Sequence, residues 1–248
     1  MITHDMTLVL GGTGQIGRRI VQRLTGRDLR VRIGSRSGGV PFDWTDTATW
    51  APALDGVHAA CIAGRPSIAA PAAIGAFARL AVASDARRLV LLSARGEPEA
   101  QARERALAAS GADWTVLRAA LPAQDFSEGP LLGPVLNGEV VLPAGAAEPF
   151  VDAADIADAA AAVLTEDGHR GRTYDLTGPR LLTFAAAVAA IAEATGRHIA
   201  FVPAPASSGR RTPLGDGVRQ VLRRPPRDFT DYARDTAATG IWNTKDAA

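Results

Sequence analysis

The chain of 248 residues has one cysteine, two tyrosines, four histidines and a single lysine, Lys245. Each shortage removes a class of chemistry. Cys61 alone cannot form an intrachain disulfide, and its apolar setting in HAACIAG is that of a buried, inert thiol rather than a nucleophile. His4, His58, His169 and His198 are scattered, with no HExxH pattern and no Cys/His cluster, so no metal site is expected. Neither Tyr174 nor Tyr232 is followed four residues on by a lysine, which excludes a phenol acid sharpened by an ammonium one helical turn away. A net charge of +1 supplies no concentrated basic surface and excludes a dedicated nucleic-acid binder. The longest Ala-rich stretch, Phe184 to Ala194, carries Glu193 and stops at Gly196; it is a core helix, too short to span a bilayer. The opening MITHDM is short and acidic, unlike a signal peptide. The expectation is a cytoplasmic protein without membrane or nucleic-acid partners, acting as a monomer or homodimer.

What the chain does have is an alternation of apolar runs and helical patterns. Thr7–Leu10 and Leu29–Ile33 read as strands, with a helix over Ile16–Leu24 between them that turns Ile20, Val21 and Leu24 inward. Val57–Ala63, Leu89–Ser93 and Trp114–Leu117 continue the series, separated by Ala-rich helices. Such alternation implies an α/β fold, a Rossmann-type doubly wound parallel sheet with helices on both faces. Between Ala120 and Phe150 five prolines interrupt any helical period, which marks a loop-rich excursion on the ligand side. Helices are then expected after Asp152 or Asp155, after Thr183 and around Asp228–Ala237, with strands in RTYDLTGP and HIAFVPAP and an irregular arm after Ser207. The division is residues 1–118 as a nucleotide-binding core and 119–248 as a small C-terminal substrate-side lobe interleaved with the last strands and helices.

The stretch LVLGGTGQIGRR, Leu8 to Arg19, turns from strand to helix through Gly11, Gly14 and Gly17. In a doubly wound sheet this turn lies where dinucleotides bind. Glycines there permit positive φ and close approach to a pyrophosphate, towards which the helix directs its free N–H groups and positive dipole end. The second strand ends in RIGSRSGG, with Ser35 and Arg36 and no acid to bind a ribose 2′-hydroxyl. A guanidinium can fork onto a 2′-phosphate, so the expected cofactor is NADP(H) rather than NAD. Arg18 is a second candidate for that phosphate.

The segments GGTGQIGRR, GSRSGGVPFDWTDTATW, RRLVLLSARGE, ERALAASGADWTVLRA, DFSEG, PFVDAADIADAAAAVLTEDGHRGRTYDLTGP and TDYARDTAATGIW together resemble the NmrA-like branch of the atypical short-chain dehydrogenase/reductases. Within it the chain is similar to bacterial relatives of the ergot-alkaloid reductase (festuclavine dehydrogenase) group. The resemblance covers nearly the whole chain. It implies that Gly11, Thr13, Gln15 and Ile16 surround the pyrophosphate and that Arg36 holds the 2′-phosphate. Asp43 and Trp44 would contact adenine, the Ala63–Gly64 turn would pass the nicotinamide ribose, and Ser93 would lie beside the nicotinamide. Two departures fall on the substrate side: LRAALPAQDFSEG replaces an LRP followed by bulky residues, and the span between FVPAPA and VLRRPPRDF is short.

The residues left for a small-molecule substrate are Ser93, Arg95, Gly96 and Glu97 at and after the end of the Leu89–Ser93 strand, then Gln124, Asp125 and Phe126 in the loop. Glu104 could reach the same cleft from its helix, but a solvated face is expected of it. LLSARGE lacks the G-x-S-x-G elbow of a hydrolase, and Asp152 with Asp155 is a capping pattern rather than an acid/base pair. Two functions remain open. One is an NADPH-dependent reductase of an activated acceptor (imine or iminium, enone or quinone), with secondary metabolism one source of such a substrate and Ser93 as an orienting residue. The other is a non-catalytic NADP(H) sensor.

Overall fold

The computed structural model describes residues 6–36, 38–63, 70–145, 147–205 and 213–243. The apolar runs form β1 (Met6–Leu10), β2 (Arg30–Ser35), β3 (Val40–Pro41), β4 (Val57–Ile62), β5 (Arg88–Ala94) and β6 (Asp113–Ala119). Two short strands follow, β7 (Glu139–Pro143) and β8 (Ala147–Glu148), before β9 (Arg172–Leu176) returns to the main sheet. The seven-stranded order is β3-β2-β1-β4-β5-β6-β9, and every neighbouring pair is parallel. The Rossmann-type sheet expected from the alternation is therefore present. Its winding reverses between β1 and β4, which opens a crevice at the carboxyl ends of those strands.

Both faces of the sheet are covered, as a parallel sheet requires. On one face α1 (Gly17–Thr25) and α6 (Ala153–Thr165) pack over Val9, Cys61, Val90 and Leu117. The Ala-rich sequence of α6 lets it lie close, with ten of its thirteen residues buried. Asp152 caps it by accepting from the Ala154 N–H, a contact worth about 1 kcal/mol. On the other face α2 (Trp50–Leu54), α3 (Pro71–Ala83) and α4 (Pro98–Ala108) cover Leu8, Leu10, Ile62, Leu89 and Val116. Burial raises the Cys61 thiol to about 12, so it stays protonated and inert.

The loop-rich excursion contains short regular pieces, a 3-10 turn at Ala123–Phe126 and α5 (Leu132–Leu136) among them. HIAFVPAP forms β11 (Ala200–Ala204), but it pairs in parallel with β7 in a separate two-stranded sheet and does not extend the main one. With β10 (Leu182–Thr183), α7 (Phe184–Thr195) and α9 (Phe229–Ala238), these pieces enclose a third core around Phe126, Phe150, Phe229, Tyr232 and Trp242. The tail is more regular than the arm expected of it: α8 (Gly217–Leu222) precedes α9, which Asp228 caps.

Asp155, the second acid of the expected capping pair, has no exposed surface and has a different task. It accepts from the Arg227 backbone N–H at 2.7 Å and pairs with Arg224 and Arg227. Asp158, one turn on, takes Arg23 of α1 at 2.6 Å as well as Arg224. These two carboxylates hold α1, α6 and the chain between α8 and α9 together. No described helix is long and apolar enough to cross a membrane.

Candidate functional site

The three glycines of the first turn have three different jobs. Gly11 adopts φ +76°, the left-handed region that glycine tolerates, and so ends β1. Gly17 is buried, and a Cβ there would sit 2.1 Å from the Gly11 carbonyl oxygen. It lets α1 press against the end of β1 and does not line the cleft, which corrects its assignment as a cofactor contact. Gly14 is exposed, and a Cβ there would meet only the Gly11 carbonyl, at 3.4 Å. Packing gives little reason for glycine at position 14; the open cleft beside it gives one. No side chain caps α1; the Gly14 carbonyl takes the Arg18 N–H, and the Ile16 carbonyl takes those of Arg19 and Ile20.

The cleft has a volume of about 800 Å³, within the range of small-molecule and cofactor sites, and straddles the β1/β4 reversal. Gly11, Thr13, Gly14, Gln15 and Ile16 line its centre. Towards β2 it is lined by Ser35, Arg36, Asp43 and Trp44, and towards β5 and β6 by Ala63, Ser93, Ala94, Arg95, Glu97, Ala119, Ala120 and Leu121. Gly64 lies outside the described residues. The structure thus brings the remaining expected cofactor positions, Gly17 apart, to one continuous wall.

At the β2 end Arg36 is exposed and makes no hydrogen bond or ion pair among the described residues. Ser35 is committed to its own turn: its Oγ accepts from the Gly38 N–H at 2.8 Å and donates to the Gly38 carbonyl. Asp43 accepts from the Thr45 N–H and hydroxyl, both at 2.8 Å, and these bonds hold its carboxyl below the usual range, with help from the charge of Arg36. Trp44 stands edge-on to Phe42 and Phe77, which fixes its ring at the cleft wall.

At the other end Ser93 is buried and donates to Glu104 Oε1 at 2.5 Å. Glu104 is also buried, contrary to the solvated face expected for it, and Arg118 binds both its oxygens, with Nε at 3.0 Å from each. Arg95 reaches the cleft but is pinned by the Pro213 carbonyl at 2.7 Å and by Asp175. Glu97 is exposed on the rim at the start of α4.

Two of the expected substrate residues are elsewhere. Gln124 is buried, donates to Asp152 at 3.0 Å and accepts from the Ala153 N–H at 2.7 Å, so it helps cap α6. Phe126 has no exposed surface and packs on Phe150 and Phe229. Their loop instead crosses to the glycine turn. Glu128 takes Arg19 at 2.9 Å and also Arg18, and Asp125 accepts from Gln15 at 3.5 Å. Burial alone would raise the Glu128 carboxyl, but the two arginines bring it below its ordinary value. Arg18 is thereby held at the loop and is not at the β2 end. Nothing local in the sequence marks Glu128, whose partners are more than a hundred residues away. Both tyrosine hydroxyls are engaged away from the cleft, Tyr232 with Ser127 and Tyr174 with His169.

The fold and the sequence relatives agree with this geometry. No family model matches the chain. It is 28% identical to the uncharacterised oxidoreductase YesF of Bacillus subtilis, over 98% of this chain and 99% of that protein. It is 25% identical to agroclavine dehydrogenase of Claviceps fusiformis, over 97% of this chain and 100% of that one. Prestalk A differentiation protein A of Dictyostelium discoideum is also 25% identical, over 94% and 93%. Among solved structures, a short-chain dehydrogenase/reductase superfamily protein from Agrobacterium tumefaciens superposes with a TM-score of 0.76 at 17% identity, covering 95% of this chain and 96% of that one. The triphenylmethane reductase of Citrobacter sp. does so with a TM-score of 0.75 at 19% identity, over 94% and 99%. The chain has the short-chain dehydrogenase/reductase fold. Its relatives, agroclavine dehydrogenase among them, bear out the resemblance to the NmrA-like, ergot-alkaloid-reductase branch.

The glycine assignments separate cleanly by experiment. Gly14→Val is expected to weaken NADPH binding at least tenfold in calorimetry while the apo melting temperature changes little. Gly17→Ala is expected to lower the apo melting temperature markedly, because the new Cβ displaces α1 from β1. Normal NADPH binding by Gly14→Val would show that the cleft wall has another use.

Proposed function

We propose that the protein is an NADPH-dependent reductase of an activated small-molecule acceptor. The observation that carries this reading is one cleft whose centre is the glycine turn, whose β2 end presents Arg36, and whose β5–β6 end presents Ser93 on a floor of small residues. The residues fit the dinucleotide along its length. Thr13 to Ile16 and the uncapped start of α1 suit a pyrophosphate, Arg36 a 2′-phosphate, and Trp44 with Asp43 the adenosine. Ala63, Ala119 and Ala120 leave room for a flat ring beside Ser93. A relative named as a dehydrogenase and a fold neighbour named as a reductase support the same reading, the triphenylmethane reductase having been crystallised with NADP(H).

NADPH, when bound, supplies the hydride. The chain's part is to bind, orient and exclude water, since effective positioning alone lowers a barrier by several kcal/mol. Reduction of a simple ketone also needs a proton, and neither tyrosine hydroxyl faces the cleft. An iminium ion carries the charge that hydride neutralises, so its product needs no proton from the enzyme. A quinone or enone delocalises its charge and takes its proton from water. The exposed Glu97 carboxylate and the 41% exposed Leu121, both lining the cleft, suit an apolar, cationic acceptor. Iminium ions therefore stand ahead of quinones and enones.

A second reading, NADP(H) binding without turnover, is favoured by the relative named for differentiation rather than for a reaction. Turnover of any acceptor decides between them.

Two outcomes test the proposal. NADPH is expected to bind at least about tenfold more tightly than NADH by calorimetry, the value of one charge-assisted hydrogen bond, and Arg36→Ala to abolish that preference while leaving NADH binding nearly unchanged. Equal affinities in the wild type would remove Arg36 from the cofactor site. In an acceptor screen that follows NADPH oxidation, cyclic imines, quinones and enones are expected to turn over and unactivated ketones to fail. Ketone turnover that disappears on removing Ser93 or Glu97 would reveal an acid in the cleft.

A further inference from the structure

The trio of buried Ser93, buried Glu104 and half-buried Arg118 is more elaborate than a serine that merely lines a wall. Ser93 is the penultimate residue of β5, Arg118 lies opposite it in register on β6, and Glu104 comes down from α4. A serine hydroxyl has one proton to give and two lone pairs to offer. Arg118 donates to both Glu104 oxygens and has no acceptor of its own, so the Glu104 carboxylate can only accept from its third neighbour, Ser93. The Ser93 proton is thus spent behind the wall, on a hydrogen bond whose Oγ–Oε1 distance is 2.5 Å, while Ser93 itself lines the cleft.

We propose that Glu104 is a positioning residue that fixes the polarity of Ser93, so that the reacting end of the cleft presents a hydrogen-bond acceptor and selects groups bearing N–H or O–H over bare carbonyl oxygens. This rests on the reading of that end as the site where the acceptor is reduced. An N–H iminium ion or an amide is recognised there, and a ketone or quinone oxygen is met by a lone pair. Exchange of the carboxylate for an amide inverts the arrangement. In Glu104→Gln the amide oxygen remains with Arg118 and the amide N–H donates to Ser93 Oγ, which releases the Ser93 proton into the cleft.

The first test needs neither cofactor nor variant. Neutron diffraction of the exchanged wild-type protein is expected to place the Ser93 deuterium on the line to Glu104. A deuterium directed into the cleft overturns the proposal whatever the protein binds. The second test reads kcat/KM for a protonated cyclic imine against a quinone. Glu104→Gln is expected to shift the ratio at least tenfold towards the quinone, and Ser93→Ala to shift it less. The double variant is expected to match Ser93→Ala, because Glu104 acts through Ser93. A ratio that Glu104→Gln leaves unchanged, or an effect that persists fully in the Ser93→Ala background, contradicts the polarity role. If Glu104→Gln does not fold, Ser93→Ala alone must still lower the imine-to-quinone ratio, and an unchanged ratio overturns the proposal. Absence of all turnover with the deuterium directed at Glu104 counts against the reductase reading and leaves the polarity of Ser93 established.

Discussion

The closeness of α1 to the end of β1 is the constraint on which the rest of the site depends. The helix can start where it does because position 17 has no Cβ, which would stand 2.1 Å from the Gly11 carbonyl oxygen. That contact aims the first turn of α1 across the β1/β4 reversal and sets the centre of the cleft. A bulkier residue at 17 would tilt the helix away and turn its positive dipole end from the glycine turn. The glycine pattern is therefore partly about packing inside the protein and only partly about space for a ligand.

A second device stabilises the same turn from the opposite side. The loop after β6 is anchored in the third core by Phe126 and by the indole N–H of Trp242, which donates to the Phe126 carbonyl at 2.9 Å. From that anchor Glu128 reaches Arg18 and Arg19. The loop after β6 thus grips the first helix of the sheet. The Asp155 and Asp158 pairs with Arg23, Arg224 and Arg227 reinforce that union beneath the sheet.

What was legible in the sequence was what local chemistry determines. The strand alternation, the glycine turn, the helix capped at Thr183, the cap at Asp152 or Asp155 and the helix around Asp228–Ala237 each depend on neighbours a few residues away, and each is found where the pattern places it, with Asp152 as the cap. The misread residues depend on distant partners. Gln124 looked like a substrate contact because its loop is irregular, yet its partner Asp152 is 28 residues on. Glu104 looked solvated because α4 is rich in charge, and only the adjacency of β5 and β6 brings Ser93 and Arg118 beneath it. The pairing of β11 with β7 was equally hidden, since nothing in HIAFVPAP says which sheet it joins.

The central claim is that one dinucleotide lies along the whole cleft, with its ends told apart by Arg36 and Ser93. A crystal structure of the protein with NADP(H) tests this directly. The account requires the pyrophosphate against the backbone of Thr13 to Ile16, the 2′-phosphate on Arg36 and the nicotinamide beside Ser93. A dinucleotide bound in the reverse direction, or one whose pyrophosphate lies away from the glycine turn, would contradict it.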